Sequence, residues 1–215
     1  MHITDKNLTK YLSDSYGEGF LVSEAHITKV VPLLQKNYGG QNDCTLTSIT
    51  SIISYIVSNK VWITALYQEV EDIAEKYFYK EDRGTMYAAI RSIFNESVKK
   101  YSSKTSCAKF GKDTGYNFKY IKSKIDEKMP LILSMKNDGM DYYKNHSVTI
   151  IGYAIYKING KNINLLKIYD NWTTEVSYVD YNKISSISSI HCLCNKEHKF
   201  LDFIWSIILK LFGGK

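Results

Sequence analysis

The stretch Gln41-Asn42-Asp43-Cys44-Thr45-Leu46-Thr47-Ser48 places a cysteine where a polar, glycine-containing loop gives way to a helical pattern. Apolar residues then recur at spacings of three and four, which predicts a helix with a wide buried face: Leu46, Ile49, Ile53 and Ile56. The first N–H groups of a helix lack backbone partners, and the helix dipole makes this end positive. Both effects favour a thiolate, so Cys44 is a candidate nucleophile.

Helical patterns dominate the first part of the chain after Cys44, and strand patterns dominate the second. Three further helices are predicted, over roughly 62–79, from a cap at Gly84-Thr85 to about 98, and over about 117–128. Short apolar runs then predict strands at 131–135, 147–153, 163–169, 175–179 and 188–194. Asn159-Gly160 is a typical hairpin turn between two of them. This order favours an α+β fold with segregated halves over a βαβ repeat.

Composition and charge narrow the functional class. The chain has 215 residues, 44% of them hydrophobic, and a formal net charge of +6, which is typical of a globular protein. All of its basic residues except Arg83 and Arg91 are lysines, and they are scattered along the chain. Because nucleic-acid recognition favours the arginine fork and a clustered basic surface, we expect no nucleic-acid partner.

Cysteine usage and the N-terminus bear on the compartment. Four cysteines are too few for a disulfide framework, so free thiols in a reducing compartment are expected. The start of the chain lacks the apolar core of a signal peptide, which favours a cytoplasmic location. His191, Cys192, Cys194 and His198 could in principle ligate zinc. However, adjacent residues of a strand point to opposite faces, so no metal site is predicted.

A thiolate nucleophile needs a base, and the base needs a group that orients it. Among five histidines, His146 has the strongest context because it begins a strand pattern directly after a polar loop. The following strand pattern ends in Asp170-Asn171-Trp172. If the two strands pair through the turn at Gly160, Asp170 or its rival Asn171 would lie beside His146.

These motifs resemble those of the papain-like cysteine proteinases. The block His146-Ser147-Val148-Thr149-Ile150-Ile151-Gly152-Tyr153 is the most specific match, with Cys44 at a helix start and Trp172 two residues after a polar residue. The stretches 31–35 and 128–133 are similar to the bacterial branch that includes the double-glycine leader peptidases. The resemblance covers about residues 30–190.

The resemblance implies a papain-like fold and hydrolysis of a peptide bond through an acyl-enzyme, without a cofactor. It implies Cys44 as nucleophile, His146 as its partner and Asp170 as orienter, with Asn171 as the alternative. The family glutamine that supplies an oxyanion donor lies about six residues before the cysteine, a position that neither Gln35 nor Gln41 occupies. The choice between these two is therefore left open. Thr45 replaces a family glycine. The same triad would also serve acyl transfer or hydrolysis of a non-peptide amide.

The chain is expected to divide into an N-terminal extension at 1–29, a peptidase-like domain at 30–195 and an amphipathic helix at 196–215. The run from Phe200 to Phe212 is almost entirely apolar except for Asp202, Ser206 and Lys210 on one face. It is too short to span a bilayer. The helix could pack in a groove of the domain, form a dimer or contact a membrane surface. Membrane contact would fit an alternative function, a non-catalytic binding module that is recruited to a membrane.

Overall fold

The computed structural model describes residues 2–38, 40–58, 60–110, 118–136, 142–184 and 187–194. Within these ranges the fold is α+β, as predicted. The helices are α1 (Leu8–Tyr16), α2 (Cys44–Ile56), α3 (Ile63–Glu75), α4 (Ile90–Lys99) and α5 (Phe118–Asp126), with a 3₁₀ turn at Gln35–Asn37. The strands are β1 (Ile3–Thr4), β2 (Gly19–His26), β3 (Thr105–Phe110), β4 (Leu131–Met135), β5 (His146–Ile158), β6 (Lys161–Tyr169), β7 (Ser177–Asp180) and β8 (Ile187–Cys194).

The strands form one antiparallel sheet in the order β1-β7-β6-β5-β4-β8-β3, and β2 pairs separately with β5. The long strand β5 is its centre, since β2, β4 and β6 all pair with it. The predicted hairpin at Asn159-Gly160 is confirmed, and both residues have the positive φ angles that such a turn requires. Thr149 pairs with Tyr169, so the start of β5 and the end of β6 lie side by side at the same end of the sheet.

Three element predictions need correction. The third helix begins at Ile90 rather than near Gly84, because Lys80 to Gly84 close a separate turn with an isolated bridge. No strand is predicted between the helices that end near 98 and begin near 117, yet β3 lies there and pairs with β8. The segregation of helices from strands is not strict, since β1, β2 and β3 all come from the first half of the chain. The predicted extension thus adds two strands to the sheet, and the boundary at residue 30 stays a prediction.

Helix α2 lies between the two halves of the fold. Every residue from Cys44 to Ser54 is buried. One side packs against α3 and α4 through a cluster of apolar side chains that includes Ile49, Leu66 and Phe94, and the other side faces β4 and β5. Burial of a large aliphatic side chain contributes about 1.5–3 kcal/mol. A helix held on both sides in this way fixes the position of its first residue, Cys44.

The expectation of free thiols throughout is wrong for two cysteines. Cys107 on β3 and Cys194 on β8 form a disulfide, with their Cα atoms 6.0 Å apart. The antiparallel register explains the pairing, because it sets Cys107 opposite Cys192 and brings Cys194 diagonally next to it. Cys44 and Cys192 are buried and take no part in a disulfide.

The predicted C-terminal helix, residues 196–215 with the apolar run 200–212, lies outside the described residues, and so does His198. None of the helices in the described ranges is both long enough and apolar enough to cross a membrane.

Glycine 152 is required by the sheet. A Cβ atom there would overlap the backbone carbonyl oxygen of Ala25 on β2 and press against Lys167 on β6. Gly160, at the hairpin, has φ +75° but open space around its Cα.

We expect Gly152→Ala to lower the free energy of unfolding by at least about 2 kcal/mol, because backbone rather than a flexible side chain must move. Gly160→Ala is the matched control and should cost only about 1 kcal/mol, the left-handed penalty. Urea unfolding followed by circular dichroism measures both. Equal losses would contradict the close approach of β2 to β5.

Candidate active site

The Cys44 thiol lies at the first turn of α2 and is almost completely buried. The backbone N–H of Ser147 donates to Sγ at 3.4 Å, and the side chain of His146 acts on the same thiol. Burial alone would raise the pKa of Cys44. The bond to His146, its charge and the Ser147 N–H outweigh burial, so the pKa of Cys44 is lowered from its ordinary value.

His146 is the first residue of β5 and is buried. Its Nε2 lies 2.7 Å from the backbone carbonyl oxygen of Asp170 at the end of β6. A carbonyl oxygen only accepts, so Nε2 must carry a proton. In the neutral ring this leaves Nδ1 as the acceptor for the proton of Cys44.

The structure thus places His146 beside Asp170, but the contact is to its main chain. The buried carboxylate is occupied elsewhere: Oδ1 accepts the backbone N–H groups of Trp172 and Thr173, at 3.0 and 2.9 Å. Its Oδ2 lies 3.1 Å from His2 Nε2 and 3.3 Å from Ser177 Oγ. The chain turns sharply after Asp170, since Asn171 has φ +66°. The carboxylate therefore folds onto the following amides instead of pointing at the imidazole.

Asn171, the alternative orienter, also points away from the imidazole. Its Nδ2 lies within 3.0 Å of three acceptors: the carbonyl oxygens of Cys44 and Ser147 and the hydroxyl of Ser48. Two protons are shared among these acceptors, all of them buried. The amide of Asn171 therefore joins the start of α2 to the start of β5. It fixes the position of the Cys44 thiol relative to the His146 imidazole.

Aromatic rings surround the imidazole. Trp172 stacks on His146 with 4.0 Å between ring centroids, and Tyr143 stacks at 5.9 Å. Tyr143 is fully buried, whereas Trp172 is 37% exposed. These rings limit rotation of the imidazole and keep water away from it on that side, which strengthens its interaction with the thiolate.

The two glutamine candidates are now distinguishable by position. Gln35 is buried in the 3₁₀ turn, its backbone N–H donates to the Asn171 carbonyl oxygen at 3.0 Å, and its Nε2 donates to the carbonyl oxygen of Gln41 at 2.9 Å. A carboxamide nitrogen carries two protons, so one N–H of Gln35 is left over. The side chain of Gln41 is exposed, and Gln41 holds Gln35 through its main chain.

The hydroxyl of Thr45 is paired within the protein. It bonds Ser147 Oγ at 2.9 Å, and Ser147 Oγ bonds Ser134 Oγ at 2.8 Å. All three residues are buried. This chain of hydroxyls satisfies the polar groups beneath the cysteine, which explains how a threonine fits where the related family has glycine.

Two cavities meet at this site. A cleft of about 940 Å³ opens over Cys44 and His146 and extends towards Phe78 and Met86. A second cavity of about 380 Å³ is lined by Gln35 and Asn171. Trp172 and Gln41 line both. The cleft is large enough for several residues of an extended chain.

The described part of the chain holds no group of three or more side chains suited to bind a metal ion. His191 and Cys192 alternate along β8, and Cys194 is in the disulfide. With His198 outside the described ranges, the absence of a metal site stays a prediction.

The comparison with protein families decides the relationship. The model of the Peptidase C39-like family matches residues 27–189. The chain belongs to this family. No curated protein matches it. Membership of the Peptidase C39-like family agrees with the papain-like α+β fold predicted from the motifs. It also supports cysteine peptidase activity in general and implies a peptide or protein substrate.

Several contributors to this site were missed at the level of sequence. His2 contacts Asp170 and Ser177 because β1 pairs with β7, and no local pattern near residue 2 indicates that pairing. The Ser147 N–H and the Asp170 carbonyl are main-chain groups, which residue type does not reveal. Tyr143 could have been suspected, since it lies three residues before His146.

Asn171→Asp should destabilise the protein by at least about 3 kcal/mol. A carboxylate cannot donate, so it would place negative charge against buried oxygens of Cys44 and Ser147. Asn162→Asp, on the exposed surface, is the control and should change stability by less than about 0.5 kcal/mol. The free energy of unfolding in urea tests both, and similar small losses would show that Asn171 does not join α2 to β5.

Proposed function

We propose that the protein is a cysteine peptidase in which Cys44 and His146 form a thiolate–imidazolium pair that the turn at Asp170 orients. The observation that carries this proposal is the paired contact of the imidazole. One nitrogen donates to the Asp170 carbonyl oxygen at 2.7 Å, and the ring lowers the pKa of a thiol at the start of α2. Together with Asp170, whose carboxylate shapes the turn, these residues make up the predicted triad.

The chemistry follows from these contacts. His146 Nδ1 takes the proton of Cys44, and the thiolate attacks the carbonyl carbon of the scissile amide. The protonated imidazole then gives that proton to the leaving amine as the C–N bond breaks, which leaves an acyl-enzyme thioester. Water attacks the carbonyl carbon of the thioester while His146 accepts one of the protons of the water. The C–S bond then breaks, which releases the acid product and returns Cys44 as the thiolate.

The tetrahedral oxyanion needs donors that are already in place. The backbone N–H of Cys44 lies at the first helical position, where a helix offers it no partner. Gln35 lines the smaller cavity together with Trp172, and its Nε2 keeps one N–H that no hydrogen bond within the described residues uses. We assign these two groups to the oxyanion hole, because Gln35 is buried and held whereas the Gln41 side chain is exposed.

The activated thiol should be visible without a known substrate. Because the pKa of Cys44 is lowered, its thiolate persists below the ordinary thiol pKa of about 8.5. Alkylation of Cys44 by iodoacetamide should therefore continue at neutral and mildly acidic pH and fall only as pH drops through the lowered pKa. Peptide mass spectrometry after timed labelling gives the rate at each pH.

Cys192, the other cysteine outside the disulfide, serves as the internal comparison for the alkylation rate. The Cys44→Ala variant should lose the fast alkylation. His146→Gln should move the pH profile of Cys44 upward, because the cation that stabilises the thiolate is gone. A wild-type profile with an ordinary midpoint would contradict the thiolate–imidazolium pair.

Gln35→Ala should slow acylation of Cys44 by p-nitrophenyl acetate on the order of 10²-fold, since one oxyanion donor is removed. Gln41→Ala should change it less than about threefold, because its carbonyl remains. The burst of p-nitrophenol measures acylation. Iodoacetamide alkylation forms no oxyanion, so its rate at Cys44 should be the same in all three proteins. A Gln35→Ala variant with both rates equally reduced would instead indicate a displaced thiol.

A further inference from the structure

One wall of the cleft over Cys44 is formed by a single segment of the chain. We call it the 78–86 wall, the segment from Phe78 to Met86 between α3 and α4. Three charged residues line the cleft, Lys80 and Arg83 on this wall and Lys144 across from it, and all three are cationic. Two apolar side chains of the wall, Phe78 and Met86, are 75% and 54% exposed. Cations and exposed apolar groups thus face the same space.

The wall is held close to the nucleophile by hydrogen bonds and by close packing of its turn. Asn42 Nδ2 donates to the carbonyl oxygen of Glu81 at 3.0 Å, and the Tyr79 hydroxyl bonds the Asp43 carboxylate. A Cβ on Gly84 would lie 2.8 Å from the Asn42 carbonyl oxygen, so the turn packs directly on the loop before Cys44. The cations of the wall are therefore built into the cleft at a set position relative to Cys44.

Phe78 is presented in an unusual conformation. Its φ is +64°, in the left-handed region that a bulky residue rarely adopts. The turn that ends α3 holds it there, since the N–H groups of Phe78 and Tyr79 donate to the carbonyl oxygens of Glu75 and Ala74. The strain leaves an aromatic ring mostly exposed in the cleft. The left-handed residue lets both N–H groups satisfy carbonyl oxygens of the last turn of α3, and the same turn directs the ring of Phe78 into the cleft.

Neighbouring acids do not neutralise the wall. Asp82 lies 3.4 Å from Arg83 Nε, but both side chains are more than 70% exposed, so water weakens this pair. A guanidinium has five N–H donors, and most of those of Arg83 remain for a ligand. Neither Asp82 nor Glu81 lines the cleft.

We propose that the substrate of this cleft is an acidic peptide, in which one or two Asp or Glu residues pair with Lys80 and Arg83 while a neighbouring apolar side chain packs on Phe78 and Met86. The proposal rests on the peptidase function proposed above. It adds the class of sequence that the enzyme accepts. A nucleic acid or an anionic lipid would also be attracted by the charge, but the apolar groups between the cations and the position beside Cys44 favour a peptide.

The first experiment is digestion of a complex peptide library, with cleavage sites read by mass spectrometry. Wild-type protein should enrich Asp and Glu at one or two positions at a fixed distance from the cut. Lys80→Glu combined with Arg83→Glu should remove or invert that enrichment and slow cleavage of acidic peptides about tenfold or more, because two favourable pairs become repulsive. The effect should shrink between 50 and 500 mM salt.

The matched control is Lys119→Glu combined with Lys161→Glu, which makes the same change in net charge at exposed residues outside the cleft. The control should cleave as the wild type does. Cleavage without acidic preference, or the same loss in both double variants, would overturn the acidic-peptide proposal while the peptidase function stands.

A binding arm separates the two proposals. Cys44→Ala protein is titrated with a fluorescent Glu-Leu-Glu peptide and with its Gln-Leu-Gln analogue, and anisotropy is followed with and without the Lys80/Arg83 reversal. Tighter binding of the acidic peptide that the reversal abolishes supports the wall as its site, even if no cleavage is found. Equal binding of the two peptides overturns the proposal. The same titrations are run with polyuridine and with phosphatidylserine vesicles. If only these probes bind in a way that the Lys80/Arg83 reversal abolishes, the proposal is also overturned.

Discussion

The amide of Asn171 is the constraint on which the rest of the site depends. One nitrogen ties the carbonyl of Cys44 on α2 to the carbonyl of Ser147 on β5, at 3.0 and 2.9 Å. Helix and strand come from different halves of the chain, so nothing local holds the thiol against the imidazole. The hydrogen bonds of Asn171 hold their geometry because α2 is buried on both sides and cannot shift away from β5. Cys44 and His146 are both placed relative to this contact.

Asp170 contributes in two ways that differ in kind. Its carbonyl oxygen sets the protonated nitrogen of His146, and its carboxylate gathers the amides that follow and so brings Trp172 onto the imidazole. A carbonyl stabilises an imidazolium less than a carboxylate would in the same place. The buried carboxylate remains nearby, where His2 shares it. The orienting group is thus a whole turn rather than one side chain.

The proposed selectivity depends on how the two ends of the cleft differ. Aromatic rings enclose His146, whereas the 78–86 wall presents lysine, arginine and exposed apolar groups. Electrostatic complementarity of this kind affects which partner arrives and in which register more than it affects total affinity. Gly84 is essential to the arrangement, because only a residue without Cβ lets the wall pack on the loop before Cys44.

Local sequence was sufficient for α2, for the hairpin at Asn159-Gly160 and for the residues Cys44 and His146, because periodicity, turn chemistry and helix-terminus electrostatics act over a few residues. It also predicted that the ends of β5 and β6 would meet, since a two-residue turn sets their register. Only the tertiary structure decided that β1 and β2 join the sheet, that Cys107 bonds Cys194 and that a carbonyl faces His146. Each of these depends on pairing between residues far apart in the chain. Their partners are main-chain groups or distant side chains, which no local pattern specifies.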